Sequence, residues 1–247
     1  MLLDIAHLVA LAATFVAGFV RGFTGFGSAL IFMPVAGAAF SPQLAAPVLL
    51  VTDFVLGLPL VISALRQVHW PTVLPAAIGA LITAPLGAYV LAQGDPLAIR
   101  WAITAIVFAL LILLMSGWRY AGEPRPLPSL GVGGTAGFLG GFGQVSGPPV
   151  VAYWISGPNP PSVIRANLLC FFAVISLSSF AAYFWNGLFT RDVADLFILL
   201  GPVYAIGLLV GARLFRRTKG AAYRPVAYAI IALAAVTSAP LFDGLFG

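Results

Sequence analysis

Apolar stretches follow one another along the chain, separated by short polar turns. Eight such stretches fall at about 5–40, 43–65, 71–92, 97–117, 129–157, 162–188, 193–213 and 221–242. A helix needs about 20 apolar residues to cross the hydrocarbon core of a bilayer, and these runs are long enough. A transmembrane β-barrel would show alternating segments of roughly ten residues instead. The pattern therefore predicts an all-α polytopic membrane protein.

Two of the stretches, 5–40 and 129–157, are too long for one simple crossing. Each is interrupted near its middle by a glycine cluster, GFTGFGS at 22–28 and GGFGQVSGPP at 140–149. Glycine weakens a helix and adopts backbone conformations that other residues avoid. We therefore predict that each stretch forms two short helical pieces around a break.

The two halves of the chain have the same order, a long broken segment followed by three ordinary ones. Gly18-Phe19 and Gly22-Phe23 match Gly137-Phe138 and Gly141-Phe142 at an offset of 119. This indicates an internal duplication. The predicted repeats are 1–118 and 129–247, and the proline-containing segment 119–128 is the predicted linker.

Composition supports the membrane assignment and excludes other classes. Hydrophobic residues make up 61% of the chain, charged residues 8%, and the mean hydropathy is +1.06. The net charge of +5 does not imply nucleic-acid binding, because in a membrane protein the placement of Lys and Arg between loops carries the information. A single cysteine, Cys170, forms no internal disulfide and is expected to fill apolar space. No Lys or Arg precedes Arg21, so we expect no cleaved signal peptide.

The basic residues also predict a topology. If both broken segments cross once, four basic loop residues oppose six, which decides nothing. If 129–157 instead enters the membrane and returns to the same side, eight of the basic loop residues lie on one side of the membrane and only Arg100 and Arg191 lie on the other. The eight are Arg66, Arg119, Arg125, Arg213, Arg216, Arg217, Lys219 and Arg224. This obeys the positive-inside rule. By symmetry 5–40 also returns, which predicts inverted repeats with both termini on the periplasmic side; the charges do not test that last step.

The paired breaks predict a binding site. Backbone N–H and C=O groups without partners inside a membrane cost several kcal/mol each and are tolerated only where protein, water or substrate satisfies them. Inverted-repeat transporters place discontinuous helices at the repeat interface, with helix N-termini directed at an anionic group. Ser28 and Ser146 would add hydroxyl donors. The alternative is that the glycines only permit close helix packing.

The segments GFVRGFTGFGSALIFMP (18–34) and GGFGQVSGPPVVAYW (140–154), the latter followed by RANLLCFF (165–172), resemble the TauE/SafE sulfite exporter family of bacterial membrane transporters. The resemblance covers nearly the whole chain. It implies movement of small anions, chiefly sulfite and organosulfonates, across the bacterial inner membrane without ATP hydrolysis.

The resemblance also implies site residues in both halves. These are Gly22, Gly25, Gly27 and Ser28 in the first half, and Gly141, Gly143, Ser146, Gly147 and Pro148 with Arg165 and Asn167 in the second. The segment GQVSGPP has fewer glycines than the usual motif, and Ser28-Ala29 stands where a further glycine is common. These departures bear on the ligand more than on the fold.

Several polar residues have two open interpretations. Arg165, about one turn into its helix, forks well onto oxyanions but can also extend to the lipid headgroups. Arg21, at the first break, has the same two roles. Gln144 either donates to an oxyanion or satisfies carbonyl groups freed by the second break. Asp53 lies about eleven residues into the stretch 43–65, so it either pairs with Arg21 or Arg165, carries protons as the coupling ion, or stays a neutral hydrogen-bonded acid.

The sequence thus predicts a secondary transporter of small anions, with an anion channel or a non-transporting scaffold or receptor as alternatives. Enzyme classes are disfavoured, because the two histidines, His7 and His69, form no dyad or metal-ligand spacing and Asp53 stands alone at depth. The chain contains no phosphate-binding P-loop. No cofactor or metal is predicted, the lipid bilayer and a small anion are the expected partners, and the oligomeric state is left open.

Overall fold

The computed structural model describes residues 5–117, 120, 124–154, 159–217, 232 and 236. Almost all of the predicted stretch 221–242 and residues 119 and 121–123 of the linker 119–128 lie outside these residues. The described residues form helices, in agreement with the predicted class, and contain no strand. The helices are α1 (Ile5–Thr24), α2 (Ser28–Ala39), α3 (Pro42–Ala64), α4 (Trp70–Gln93), α5 (Pro96–Met115), α6 (Pro126–Gly143), α7 (Gly147–Trp154), α8 (Pro161–Trp185) and α9 (Arg191–Arg217).

The described helices match the predicted apolar stretches closely. Six of them, α1, α3, α4, α5, α8 and α9, are long and apolar enough to cross a membrane. Both long stretches divide into two helices, which confirms the breaks. The expectation of two short pieces is wrong for the first piece of each pair. α1 has 20 residues and α6 has 18, whereas α2 has 12 and α7 has 8.

Helix starts follow from local capping chemistry. Ser41 precedes Pro42 and accepts the N–H of Leu44 on its hydroxyl at 3.2 Å, which caps α3. Asp95 precedes Pro96 and accepts the N–H of Ala98 at 2.9 Å, which caps α5. A short polar side chain followed by proline suits this position, because the side chain satisfies a free donor and proline has none to lose.

The helices group into two compact units. Unit 1 contains α1, α2, the start of α3 up to Leu49, α5 and α9. Unit 2 contains α3 from Leu50 onward, α4, α6, α7 and α8. Each predicted repeat therefore contributes helices to both units: α9 of the second repeat lies in unit 1, and α4 of the first repeat lies in unit 2.

In unit 1, glycines bring α1 and α9 into backbone contact. A Cβ atom at Gly18 or Gly22 would overlap the carbonyl oxygen of Tyr204 or Leu208, respectively. Gly207 and Gly211 on α9 have the reciprocal relation to carbonyl groups of α1. Small residues on both helices are what allows backbones to approach this closely in membrane proteins.

In unit 2, α6 packs on α4 in the same manner. A Cβ atom at Gly133 or Gly141 would overlap the carbonyl oxygen of Ala76 or Ala84. The hydroxyl of Thr83 on α4 also donates to the carbonyl of Gly134 at 2.6 Å. The first helix of each predicted repeat thus packs, through glycines, on a late helix of the other repeat.

Candidate functional site

The first break consists of residues 25–27, between α1 and α2. Gly25 has φ of 83° and Gly27 has φ of 92°, both in the left-handed region. Only glycine occupies this region without a steric penalty, so these two glycines let the chain leave α1 and start α2 at Ser28. Both were predicted site residues.

Side chains of α1 satisfy the polar backbone of this break. The Thr24 hydroxyl accepts the N–H of Phe26 at 3.0 Å and also lies within hydrogen-bonding distance of the carbonyls of Val20 and Phe26. The buried Arg21 guanidinium donates from Nη1 to the carbonyl oxygen of Gly25. One contact of Arg21 is therefore with the break that follows it in the chain.

The second break consists of residues 144–146, between α6 and α7. Gln144 has φ of 61° and is the one residue other than glycine with positive φ among the described residues. Its N–H donates to the carbonyl of Gly140 at 2.9 Å, and the N–H of Val145 donates to that of Leu139 at 3.2 Å. These bonds close the end of α6.

The Gln144 side chain takes part in the same closure. Its Nε2 donates to the carbonyl of Gly140 at 3.0 Å and to the hydroxyl of Tyr183 at 3.2 Å. Tyr183, fully buried on α8, donates in turn to the carbonyl of Gly141 at 2.7 Å. Both N–H groups of the amide are thus directed at protein acceptors, which favours the second of the two interpretations given for Gln144.

The short helices begin at the breaks with different numbers of donors. The first N–H groups of an α-helix have no acceptor within the helix. In α2 these belong to Ser28 and Ala29, whereas Leu30 donates to the carbonyl of Gly27 at 3.2 Å. In α7 the second and third positions are Pro148 and Pro149, which carry no N–H. The N-terminus of α2 therefore carries more backbone N–H groups without an acceptor in their own helix than the N-terminus of α7 does.

The serines at the breaks are buried. Ser28 is 6% exposed at the first position of α2, and Ser146 is 7% exposed just before Gly147, where α7 begins. The predicted site residues Gly25, Gly27 and Ser28 therefore lie together in unit 1, and Gln144, Ser146 and Gly147 lie together in unit 2. Gly22 and Gly141 are helical and pack against neighbouring helices, so they have the packing role that was the alternative for the glycine clusters.

The two polar residues of α8 differ in burial. Arg165 is partly exposed, one turn after the helix begins at Pro161. Asn167 is fully buried, and its Oδ1 accepts the N–H of His69 at 2.8 Å. His69 in turn contacts the Thr72 hydroxyl through Nδ1 and belongs to the turn before α4.

Asp53 lies on α3 in the part that belongs to unit 2, and its side chain is partly buried. Among the residues that the structure describes, no group of three His, Cys, Asp or Glu side chains is placed to hold a metal ion. The groups at the two breaks that can donate a hydrogen bond to a solute include backbone N–H groups and the hydroxyls of Ser28 and Ser146.

Sequence reasoning missed three residues of these regions. Thr24 ends α1 and could have been found as a polar side chain next to a glycine pair. Tyr183 lies 39 positions from Gln144, so no local pattern connects them. Trp154 is the buried last residue of α7, and the sequence offers no sign that its indole faces the protein interior.

The helices and their two breaks define a polytopic helical membrane protein. The chain belongs to the sulfite exporter TauE/SafE family, whose model matches residues 10–238. This is a family of transporters and not of enzymes, which confirms the predicted class.

A curated relative extends the comparison. The chain is 30% identical over 220 residues, 84% of each chain, to the probable sulfite/organosulfonate exporter TauE of Cupriavidus necator. No solved structure matches the chain.

Proposed function

We propose that this chain is a secondary transporter that exports sulfite or an organosulfonate across the bacterial inner membrane. Family membership and the name of the Cupriavidus necator relative support the class of substrate and the outward direction. The observation that carries the proposal is the pair of equivalent helix breaks at 25–27 and 144–146, 119 positions apart. A soluble anion needs fixed donors inside the protein, and the start of a helix after a break supplies them.

The first break provides the principal binding position in this proposal. The N–H groups of Ser28 and Ala29 and the Ser28 hydroxyl are the donors, and Gly25 and Gly27 allow the backbone to approach the ligand. The helix dipole of α2 adds roughly half a positive charge at this end. A charge-assisted hydrogen bond from such a donor contributes about 1.5–3 kcal/mol.

The second break contributes fewer donors. Ser146 and the N–H of Gly147 remain, because Gln144 is bonded to the protein and two prolines follow Gly147. Arg165 supplies a permanent positive charge at the start of α8 for attracting anions.

The orientation is part of the proposal. The distribution of basic residues favours a second broken segment that enters the membrane and returns to the same side. The symmetry of the two repeats extends this to the first broken segment, which would place both termini on the periplasmic side. Protons are the proposed coupling ion, and Asp53 is the proposed carrier because its carboxyl group lies on α3, a helix long enough to span the membrane, where ionisable side chains commonly mark proton pathways.

Purified protein in proteoliposomes tests the proposal. Labelled sulfite trapped inside should leave protein-containing vesicles faster than protein-free ones, and unlabelled sulfonate loaded on the same side should slow this efflux by competition. Ser28→Ala removes the proposed hydroxyl donor and should slow efflux about tenfold, since one bond to a charged ligand is lost. Ser63→Ala, at an exposed serine that bonds only to its own helix in the described structure, is the matched control.

Three outcomes decide between functions. Saturable efflux that responds to a proton gradient supports a coupled transporter. Non-saturable efflux insensitive to that gradient indicates an anion channel. Folded protein that neither binds nor moves sulfite or any sulfonate indicates a scaffold or receptor and rejects the proposal.

A further inference from the structure

Trp154, the last residue of α7, has a buried N–H group without a protein acceptor. The residue is 2% exposed, and among the described residues no acceptor lies within hydrogen-bonding distance of Nε1. An unsatisfied buried donor destabilises the folded state, and buried tryptophans usually find a partner for this N–H group. Its neighbour Tyr153 has the usual arrangement: the buried hydroxyl contacts Ser129 Oγ at 2.9 Å and accepts the N–H of Arg125 at 3.2 Å.

Asn167 on α8 has the same property. Its Oδ1 is occupied by the N–H of His69, which fixes the direction of the amide, while Nδ2 has no acceptor among the residues that the structure describes. The ring of Trp154 packs edge-on against Phe171 with centroids 5.4 Å apart. Phe171 follows Asn167 by one helical turn and therefore shares its face of α8. Phe171 therefore links the two side chains, since Trp154 contacts its ring and Asn167 lies one turn before it on the same face of α8.

The duplication offers an internal comparison. At the offset of 119, the positions that correspond to Trp154 and Asn167 are Val35 and Val48. Both valines are buried, with 9% and 1% exposure. The first repeat therefore fills these positions with apolar side chains, which indicates that the helical packing itself does not require polar groups there.

We infer that Trp154 and Asn167 form a second anion-binding site in unit 2, which holds an oxyanion group of the transported solute. Indole and amide N–H groups only donate, so they select a ligand rich in acceptors, and a sulfite or sulfonate group presents three oxygens. Trp154 lies about 10 Å along α7 from Gly147, so one oxyanion cannot occupy the break and this site together. This inference rests on the proposed function and adds a second position on the route of the same solute.

The decisive variant is Trp154→Phe, which removes the N–H donor and keeps an aromatic ring against Phe171. Binding of labelled sulfite to the purified full chain in detergent should weaken about tenfold to hundredfold, the effect of one lost bond to a charged ligand. Trp185→Phe is the matched control, because Trp185 is 90% exposed, and its affinity should equal that of the unchanged protein. An unchanged affinity in Trp154→Phe would show that the indole N–H does not touch the anion.

A second measurement leaves Trp154 in place. In a chain whose other tryptophans (Trp70, Trp101, Trp118 and Trp185) are replaced by phenylalanine, sulfite should shift the emission of Trp154. No shift at saturating sulfite would overturn the inference even if Trp154→Phe fails to fold. Asn167→Asp keeps an oxygen that accepts the His69 N–H but replaces the donor Nδ2 with a carboxylate oxygen. This variant should bind sulfite more weakly than the unchanged protein, because a negative oxygen would then face the anion.

The outcomes separate this inference from the proposed function. If the protein transports sulfite, but Trp154→Phe binds it with unchanged affinity and sulfite does not shift the emission of Trp154, the second site is rejected and the proposed function stands. An emission shift with another oxyanion, such as sulfate, but not with sulfite or a sulfonate supports the site and rejects the proposed substrate. The absence of any anion effect rejects both.

Discussion

Gly25 and Gln144 hold the same left-handed backbone conformation at equivalent breaks, with φ of 83° and 61°. Each donates its N–H to the carbonyl oxygen four residues earlier, at 2.8 Å to Arg21 and 2.9 Å to Gly140. One repeat therefore turns its chain with a glycine and the other with a glutamine. Glutamine has no intrinsic preference for this conformation, so the bonds of its side chain to Gly140 and Tyr183 hold it there.

This relationship predicts the relative stability of two variants of Gln144. Both Gln144→Gly and Gln144→Ala lose the side-chain bonds, but only alanine keeps the strain of positive φ. We expect the glycine variant to be more stable than the alanine variant by about 1 kcal/mol, or roughly 2–4 °C in Tm. Thermal unfolding in detergent measures the difference. An alanine variant as stable as the glycine variant would contradict the role of the backbone conformation.

The first break depends instead on Thr24. Thr24→Val keeps the shape of the side chain but removes the acceptor for the Phe26 N–H, so we expect a loss of about 1 kcal/mol, or roughly 2–4 °C in Tm. Thr24→Ser retains the hydroxyl and should stay within about 0.5 kcal/mol of the unchanged protein. Equal stability of the valine and serine variants would show that the hydroxyl contributes nothing to the break.

Two glycines of α6 should respond oppositely to the same substitution. Gly141→Ala places a Cβ on the carbonyl of Ala84, so α4 and α6 must separate, and we expect destabilisation by about 1–3 kcal/mol. Gly131 is exposed and has no atom within 4 Å of a Cβ position, so Gly131→Ala should stabilise α6 by about 0.5–1 kcal/mol. Unfolding of the two variants under identical conditions checks the signs, and a stabilising Gly141→Ala would contradict the close approach of the two helices.

The helices could be predicted from the sequence because the bilayer imposes their length. The stretch predicted at 43–65 is α3 at Pro42–Ala64, and 71–92 is α4 at Trp70–Gln93. Both breaks were also predicted, yet the glycine clusters are wider than the breaks. Glycine is favoured both where φ is positive, as at Gly25, and where two helices pack closely, as at Gly22. The spacing of glycines in the sequence does not distinguish these two roles.

Contacts between distant parts of the chain could not be predicted. The packing of α1 on α9 and of α6 on α4 depends on which helices meet, and an amphipathic pattern is weak where lipid and protein are equally apolar. Tyr183 on α8 accepts a hydrogen bond from the Gln144 side chain at the second break, and no pattern in the sequence around Gln144 predicts this contact. Trp154 could not be singled out for the same reason, because only the folded structure shows that its indole N–H has no acceptor among the described residues.

A substitution of Asp53 tests whether sulfite transport is coupled to protons. Asp53→Asn keeps the size and the hydrogen-bonding capacity of the side chain but removes the group that binds and releases a proton. If Asp53 carries the coupled proton, the variant should still exchange labelled for unlabelled sulfite while losing accumulation driven by a pH gradient across the vesicle membrane. Asp195→Asn, at an exposed position of α9, is the control and should retain both activities. If Asp53 instead pairs with a cationic side chain, Asp53→Asn should lower Tm and reduce exchange and accumulation to the same extent, because an uncompensated charge then remains in the protein interior.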